Sequence, residues 1–239
     1  MNPMIVKGLN RETFKAVIFD LDNTLIKSTI DFQVMNRAVA DALLENGLPK
    51  DILDSKGRVN ESIVRAFAYF KTHSQDGWAE KLEADLNRVS AEVEMARVDE
   101  SRAMPGAFAT LEHLESRDIA VAILTRGSRA YTMRALIAAG MEGRFPTIVC
   151  RDDHPLSEAK PNPLALRRVF VQLGLSNSQC LFIGDHETDL LCAKGAEMPF
   201  AAVLTGAYGY DSWKRLSPEV IIGSVADLPA VLEGMTWNR

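Results

Sequence analysis

The sequence predicts an α/β fold: a three-layer parallel-sheet core, covered on both faces, with an all-helical domain inserted after the first strand. Two observations carry this expectation. Short, near-continuous apolar runs alternate with helical patterns, and one long stretch between the first two runs shows helical periodicity alone. With 239 residues and 47% apolar side chains, the chain has enough hydrophobic surface for a large core, which rules out a disordered protein.

Ala16 to Phe19 is the first strand, and Ile119 to Leu124 the second. Thr147 to Cys150, Cys180 to Ile183, Phe200 to Leu204 and Val220 to Ile222 follow. None alternates apolar with polar, as a half-exposed strand would. The helical stretches between the later runs imply right-handed βαβ crossovers, and hence a parallel sheet. Between residues 30 and 104 the pattern changes. Val34, Met35, Ala38, Val39, Ala42 and Leu43 recur at helical spacing, as do Ile63, Phe67 and Phe70. Trp78, Leu82, Leu86, Val89, Val93 and Ala96 form a third such stripe. A structureless loop of that length has no place in a compact domain. Residues 30–104 therefore read as a helical cap closed by the breaker pair Pro105-Gly106, and residues 1–29 with 105–239 as the core. An insert at that point can cover the C-terminal edge of the sheet, where open α/β folds place their sites.

Charge narrows the partners. Lys and Arg number 27 against 32 Asp and Glu, a net −5, so no basic field exists to hold a nucleic-acid backbone or an anionic membrane. No apolar run approaches the ~18 residues of a membrane helix. Met1 to Asn10 lacks the apolar stretch of a secretory signal. Cys150, Cys180 and Cys192 are odd in number and share no Cys-x-x-Cys spacing, which suits buried reduced thiols. A cytoplasmic location is expected. Oligomeric state is not encoded in any of these patterns.

The residues that follow the strands carry the chemistry. After the first strand comes Asp20-Leu21-Asp22-Asn23-Thr24-Leu25, after the second Thr125-Arg126-Gly127-Ser128, and after the fourth Gly184-Asp185-His186-Glu187-Thr188-Asp189. Lys160-Pro161-Asn162-Pro163 opens a helix before the fourth strand, with Asn162 as N-cap and Pro163 at the first helical position. Ends of parallel strands converge on one edge, so these residues can meet in one cleft. Carboxylates gathered there repel unless a cation sits among them. Hard oxygen ligands, without a His or Cys cluster, point to Mg²⁺ over zinc. A lysine and a hydroxyl beside them suit a phosphoryl group. One aspartate can then attack phosphorus, and a second, two residues on, can protonate the leaving oxygen and later deprotonate water.

On these motifs the chain resembles the haloacid dehalogenase-like (HAD) phosphatases, in the phosphoglycolate phosphatase-like branch whose helical C1-type cap follows the first motif. All four motifs stand in order along nearly the whole chain. The resemblance implies a Rossmann-like core and a cap that opens and closes over the site. It implies Asp20 as nucleophile and Asp22 as acid/base, with Thr125 and Lys160 completing the catalytic set. Thr125, Arg126, Gly127 and Lys160 become the candidate substrate-binding residues. Mg²⁺ would be held by the Asp20 carboxylate, the Asp22 backbone carbonyl and Asp185, with Asp189 helping directly or through water. Dehalogenases of the family lack an aspartate at the position of Asp22, so phosphoryl transfer to water is expected, on a small phosphorylated metabolite. A phosphomutase using the same residues, and a non-catalytic phosphate-binding or phospho-switch protein, are the alternatives.

Two residues depart from the commonest family pattern. Asn23 stands where Gly is frequent, and Asn tolerates left-handed backbone geometry. Arg126 stands where Asn is usual; its side chain is expected to point outward, the alternative being a bidentate pair with a second anionic group of the substrate. Thr24 is expected to hold its turn through the hydroxyl. The cap loop around Lys56-Gly57-Arg58 is a further place to look for selectivity, although a solvated basic turn is the better expectation. His186-Glu187 begins like a His-Glu-x-x-His zinc site, but Leu190 occupies the second ligand position.

Overall fold

The structure, a computed structural model, describes residues 5–6, 14–54, 59–74 and 76–234; Lys56, Gly57 and Arg58 lie outside them. In chain order the elements are β1 (Ile5–Val6), β2 (Ala16–Phe19), β3 (Ile26–Lys27), α1 (Phe32–Glu45), α2 (Val59–His73), α3 (Trp78–Met95) and β4 (Arg102–Ala103). Then come α4 (Ala107–Glu115), β5 (Ala120–Leu124), α5 (Arg129–Ala138), β6 (Thr147–Val149), α6 (Leu164–Gln172) and β7 (Cys180–Gly184). The chain closes with α7 (Glu187–Gly195), β8 (Phe200–Val203), α8 (Tyr210–Leu216), β9 (Val220–Ile222) and α9 (Leu228–Leu232).

The main sheet runs β1-β9-β8-β7-β2-β5-β6, all neighbours parallel except β1 against β9. Each of the six apolar runs is a strand, within a residue of its expected ends. The sheet is parallel because each crossover carries a helix, and those helices divide between its two faces. Val17 and Phe19 turn into a core with Leu111 and Leu114 of α4, Ala135 of α5 and Leu228 of α9. Ala16 and Ile18 face Leu166 of α6, Leu190 of α7 and Trp213 of α8. Consecutive residues thus serve opposite layers, which is why every residue of β2 had to be apolar. Each of the larger buried side chains, such as Ile18, Phe19 and Leu166, contributes about 1.5–3 kcal/mol.

Between β2 and β5 the described residues form helices and their connections, with one short antiparallel ladder, Ile26 with Ala103 and Lys27 with Arg102. Arg102–Ala103 lies in the stretch where only helix is expected; two residues are too few to mark a periodicity. Helices α1 to α3 hold a separate apolar cluster of Val39, Leu43, Ala66, Phe70, Leu82 and Leu86, which Leu156, from the loop after β6, enters. The buried stripe of α3 is Leu82, Leu86, Ser90 and Glu94, rotated from the expected one: Ala96 is exposed and Val93 half-buried. The reason is polar burial, for Ser90 and Glu94 face inward where an apolar pattern cannot announce them. No helix among the described residues is long and apolar enough to cross a membrane.

Candidate active site

The middle of the sheet builds the site. β2 lies between β5 and β7, with Phe19 opposite both Ile123 and Ile183. Asp20, Thr125 and Asp185 therefore emerge side by side at the carboxyl edge. The backbone holds them there: Asp20 N–H donates to the Ile183 carbonyl at 2.8 Å, and Thr125 N–H to that of Val149 at 3.0 Å. Asn23 adopts φ 55°, the left-handed turn that swings the chain away after Asp22. Thr24 does not serve that turn as expected, since its buried Oγ1 has no hydrogen-bond partner among the described residues.

Carboxylate oxygens of Asp20, Asp185 and Asp189 lie within 4.8 Å of one another, all three side chains buried. Lys160, 2% exposed, reaches them from the loop before α6, its Nζ donating to Asp20 Oδ1 at 2.5 Å and Asp189 Oδ1 at 2.6 Å. Asn162 caps that helix through its side chain, accepting the Leu164 N–H at 3.0 Å, and the helix begins one residue later than expected. Asp189 also serves α7 locally, its Oδ2 accepting the His186 N–H at 3.1 Å. It is thus a helix cap and a member of the acidic set at once. His186 caps the same helix by accepting the Thr188 N–H at 3.2 Å. Two glycines make room for the carboxylates: a Cβ on Gly184 would run into Asp189, and one on Gly206 into Asp185.

The charges are unbalanced. One ammonium faces three carboxylates, so the site resists full ionisation. Burial pushes the Asp185 carboxyl up to about 7, with the neighbouring Asp189 adding to the effect. Burial also holds Asp20 well above the ordinary carboxylate range, although Lys160 opposes it. Lys160 is raised despite its burial, because Asp189 and Asp20 favour its charged form. An all-oxygen, under-neutralised, buried donor set fits a hard divalent cation and not a thiophilic one.

The loop after β5, which carries Thr125, Arg126 and Gly127, is closely packed. Thr125 Oγ1 accepts the Gly127 N–H at 2.9 Å, which leaves its own hydrogen free to donate. Gly127 is required by crowding: a Cβ there would lie 2.8 Å from the Tyr131 ring and 3.3 Å from Thr125 Oγ1. Arg126 does not point outward as expected. Its guanidinium turns inward and donates to the Lys160 carbonyl, and burial together with Arg151 lowers it to about 10.

Asp22 is not among the three clustered carboxylates, although its charge adds to the rise at Asp185. Its Oδ1 accepts the Tyr131 hydroxyl at 2.5 Å. Burial raises its carboxyl, while the bonds from Tyr131 and Ser28 oppose the rise.

Three residues escaped sequence reasoning. Tyr131 has no motif to mark it on α5. Glu94 and Arg151 form a buried ion pair, with side chains 2% and 7% exposed, joining α3 to the loop after β6. Glu94 Oε2 also accepts the Ser128 N–H at 3.1 Å, and Arg151 donates to the Arg126 carbonyl at 2.8 Å and to Asn87 Oδ1 at 3.0 Å. A charge at every-fourth spacing from Leu82 and Leu86 was the one available signal for Glu94.

A model of the haloacid dehalogenase-like hydrolases matches residues 17–203. A phosphoglycolate phosphatase of Rhodospirillum rubrum is 31% identical over 89% of this chain and 86% of its own length. Pyrophosphatase PpaX of Oceanobacillus iheyensis is 25% identical over 92% of this chain and 97% of its own. Among solved structures, a hydrolase from Pseudomonas syringae superposes with a TM-score of 0.65 at 25% identity, covering 93% of this chain and 100% of that one. The chain belongs to the haloacid dehalogenase-like hydrolase family, as a HAD-type phosphatase.

Proposed function

We propose that this chain hydrolyses a small phosphate monoester through a phosphoaspartate on Asp20, with Asp22 as general acid and base, Mg²⁺ as cofactor and the helical segment as a cap. The observation that carries the reading is the buried contact of Lys160 with both Asp20 and Asp189, beside Asp185, at the carboxyl edge of the sheet.

Asp20 attacks phosphorus, and the bond from phosphorus to the leaving oxygen breaks with its electron pair on that oxygen. Asp22 supplies the proton that oxygen needs. Thr125 and Lys160 donate to the equatorial oxygens as charge shifts among them. In the second half Asp22, now a carboxylate, takes a proton from water; the water oxygen bonds to phosphorus, and the Asp20–phosphorus bond breaks to release phosphate. Asp20, the Asp22 carbonyl, Asp185 and Asp189 would hold the Mg²⁺, whose charge offsets that of the phosphoryl group. The helical segment, residues 30–104, acts as the cap that excludes bulk water. Three buried free thiols agree with a cytoplasmic setting.

The substrate class proposed is a phosphate monoester carrying a second anionic group. Phosphoglycolate, for which one relative is named, is a monoester of that kind, and pyrophosphate, for which another is named, is an anhydride that also carries a second anionic group; the inward Arg126 guanidinium beside Lys160 supplies the counter-charge.

The test is phosphate release from p-nitrophenyl phosphate and phosphoglycolate by metal-stripped protein, with and without Mg²⁺, beside Asp20→Asn. Mg²⁺-dependent release that drops by at least about a thousandfold in the variant is expected. Turnover that survives in Asp20→Asn, or that requires an added bisphosphate, contradicts the reading.

A further inference from the structure

Tyr131 is fully buried on the first turn of α5, yet its hydroxyl lies 2.5 Å from Asp22 Oδ1, 109 residues away in sequence. A buried tyrosine hydroxyl needs a polar partner, and this one has found the carboxylate assigned the proton-transfer step. The ring is fixed from two sides. Its backbone N–H donates to Ser128 Oγ at 3.3 Å, in the cap of α5, and its edge fills the space that Gly127 leaves by lacking a side chain. Tyr131 therefore joins Asp22 rigidly to the loop that carries Thr125.

We propose that Tyr131 is a positioning residue for the acid–base step: its hydroxyl, donating to Asp22 Oδ1, orients the carboxyl so that Oδ2 carries the transferred proton. The inference rests on the reading of Asp22 as general acid and base. A phenol keeps its proton at neutral pH, its ordinary pKa being about 10. Tyr131 is thus always the donor and Oδ1 always the acceptor. In the first half-reaction the proton passes from Oδ2 to the leaving oxygen as the phosphorus–oxygen bond breaks. In the second the same oxygen takes a proton from the attacking water. Without the phenol hydroxyl, Ser28 is left to hold the carboxyl, and each transfer begins from a wider set of orientations.

Leaving-group dependence separates this role from a structural one. p-Nitrophenolate departs without a proton, whereas phenolate, far more basic, needs one. The wild type, Tyr131→Phe and Asp22→Asn are compared on phenyl phosphate and p-nitrophenyl phosphate with Mg²⁺, reading kcat/KM, which reports the steps through the first phosphorus–oxygen cleavage. In Tyr131→Phe we expect about a tenfold loss on phenyl phosphate and less than about threefold on p-nitrophenyl phosphate. Tyr131→Met, which keeps apolar bulk without the hydroxyl, should reproduce the split should the phenylalanine variant prove unstable. Equal losses on both esters, or none on either, overturn the proposal. If Asp22→Asn itself leaves phenyl phosphate turnover intact, the acid–base reading fails and this inference with it. A normal Tyr131→Phe beside a crippled Asp22→Asn refutes the positioning role alone.

Discussion

Lys160 and Arg126 show how one residue's surroundings decide its task. Lys160, buried between Asp20 and Asp189, is held charged and is the one cation paired with the acidic cluster among the described residues. Arg126, two residues before Ser128 on the neighbouring loop, donates to a carbonyl and is pushed down to about 10 by burial and by Arg151. A guanidinium in that state gains from an incoming anion, since an anion nearby favours its charged form. Arg126→Ala should therefore raise KM for phosphoglycolate about tenfold, the scale of one charge-assisted hydrogen bond, and raise KM for p-nitrophenyl phosphate by less than about threefold. Steady-state kinetics on the two esters check this, and an equal rise on both removes Arg126 from substrate selection.

At the scale of elements, α3 is tied to the sheet's working edge by charge more than by oil. Glu94 near its C-terminus meets Arg151, the Ser128 N–H and, through Arg151, the Arg126 carbonyl. Breaking a buried ion pair from one side leaves a desolvated charge, a cost of about 3–5 kcal/mol. Glu94→Ala is expected to lose that much in urea unfolding, and a loss under about 1 kcal/mol would show that water or rearrangement satisfies Arg151. The pair is hidden in the sequence because the periodicity of α3 is apolar, and a lone glutamate on a helix usually marks its solvent face. The strands are legible for the opposite reason: burial on both faces leaves no polar residue to interrupt the run, so Ala16–Phe19 and Cys180–Gly184 stand out. β3 and β4 are not, since two residues each carry no period.

For the molecule as a whole, the acidic cluster couples stability to pH and to metal. In the unfolded chain Asp185 ionises near the ordinary aspartate value, about 4, whereas folding pushes it up to about 7. Between those values the folded protein binds a proton that the unfolded chain has released. Stability of the metal-free protein therefore falls as pH rises through that window, by on the order of a few kcal/mol. A divalent cation needs the ionised carboxylates, so its stabilising effect runs the other way. Thermal unfolding at pH 5.5 and pH 8 should show a lower Tm at the higher pH without metal, and a larger Mg²⁺-induced rise there. An equal rise at both pH values would mean that the cation binds elsewhere.

Three of the site's groups are legible in the sequence because each follows a strand directly, and a fourth, Lys160, because Pro161-Asn162-Pro163 after it marks a helix start. The apolar run locates the sheet edge, and the adjacent residue inherits its place: Asp20 after β2, Thr125 after β5 and Asp185 after β7. Chain connectivity alone determines that much, along with the layered α/β architecture and the helical insert. Which side chains then touch is a matter of how helices settle on the sheet. Tyr131 reaches Asp22 across 109 positions and Arg151 reaches Glu94 across 57. Arg126 turns inward because a carbonyl and buried carboxylates lie within reach. No local pattern encodes such pairings, because a side chain's direction depends on its neighbours in space, and those are set by the packing of elements far apart in the chain.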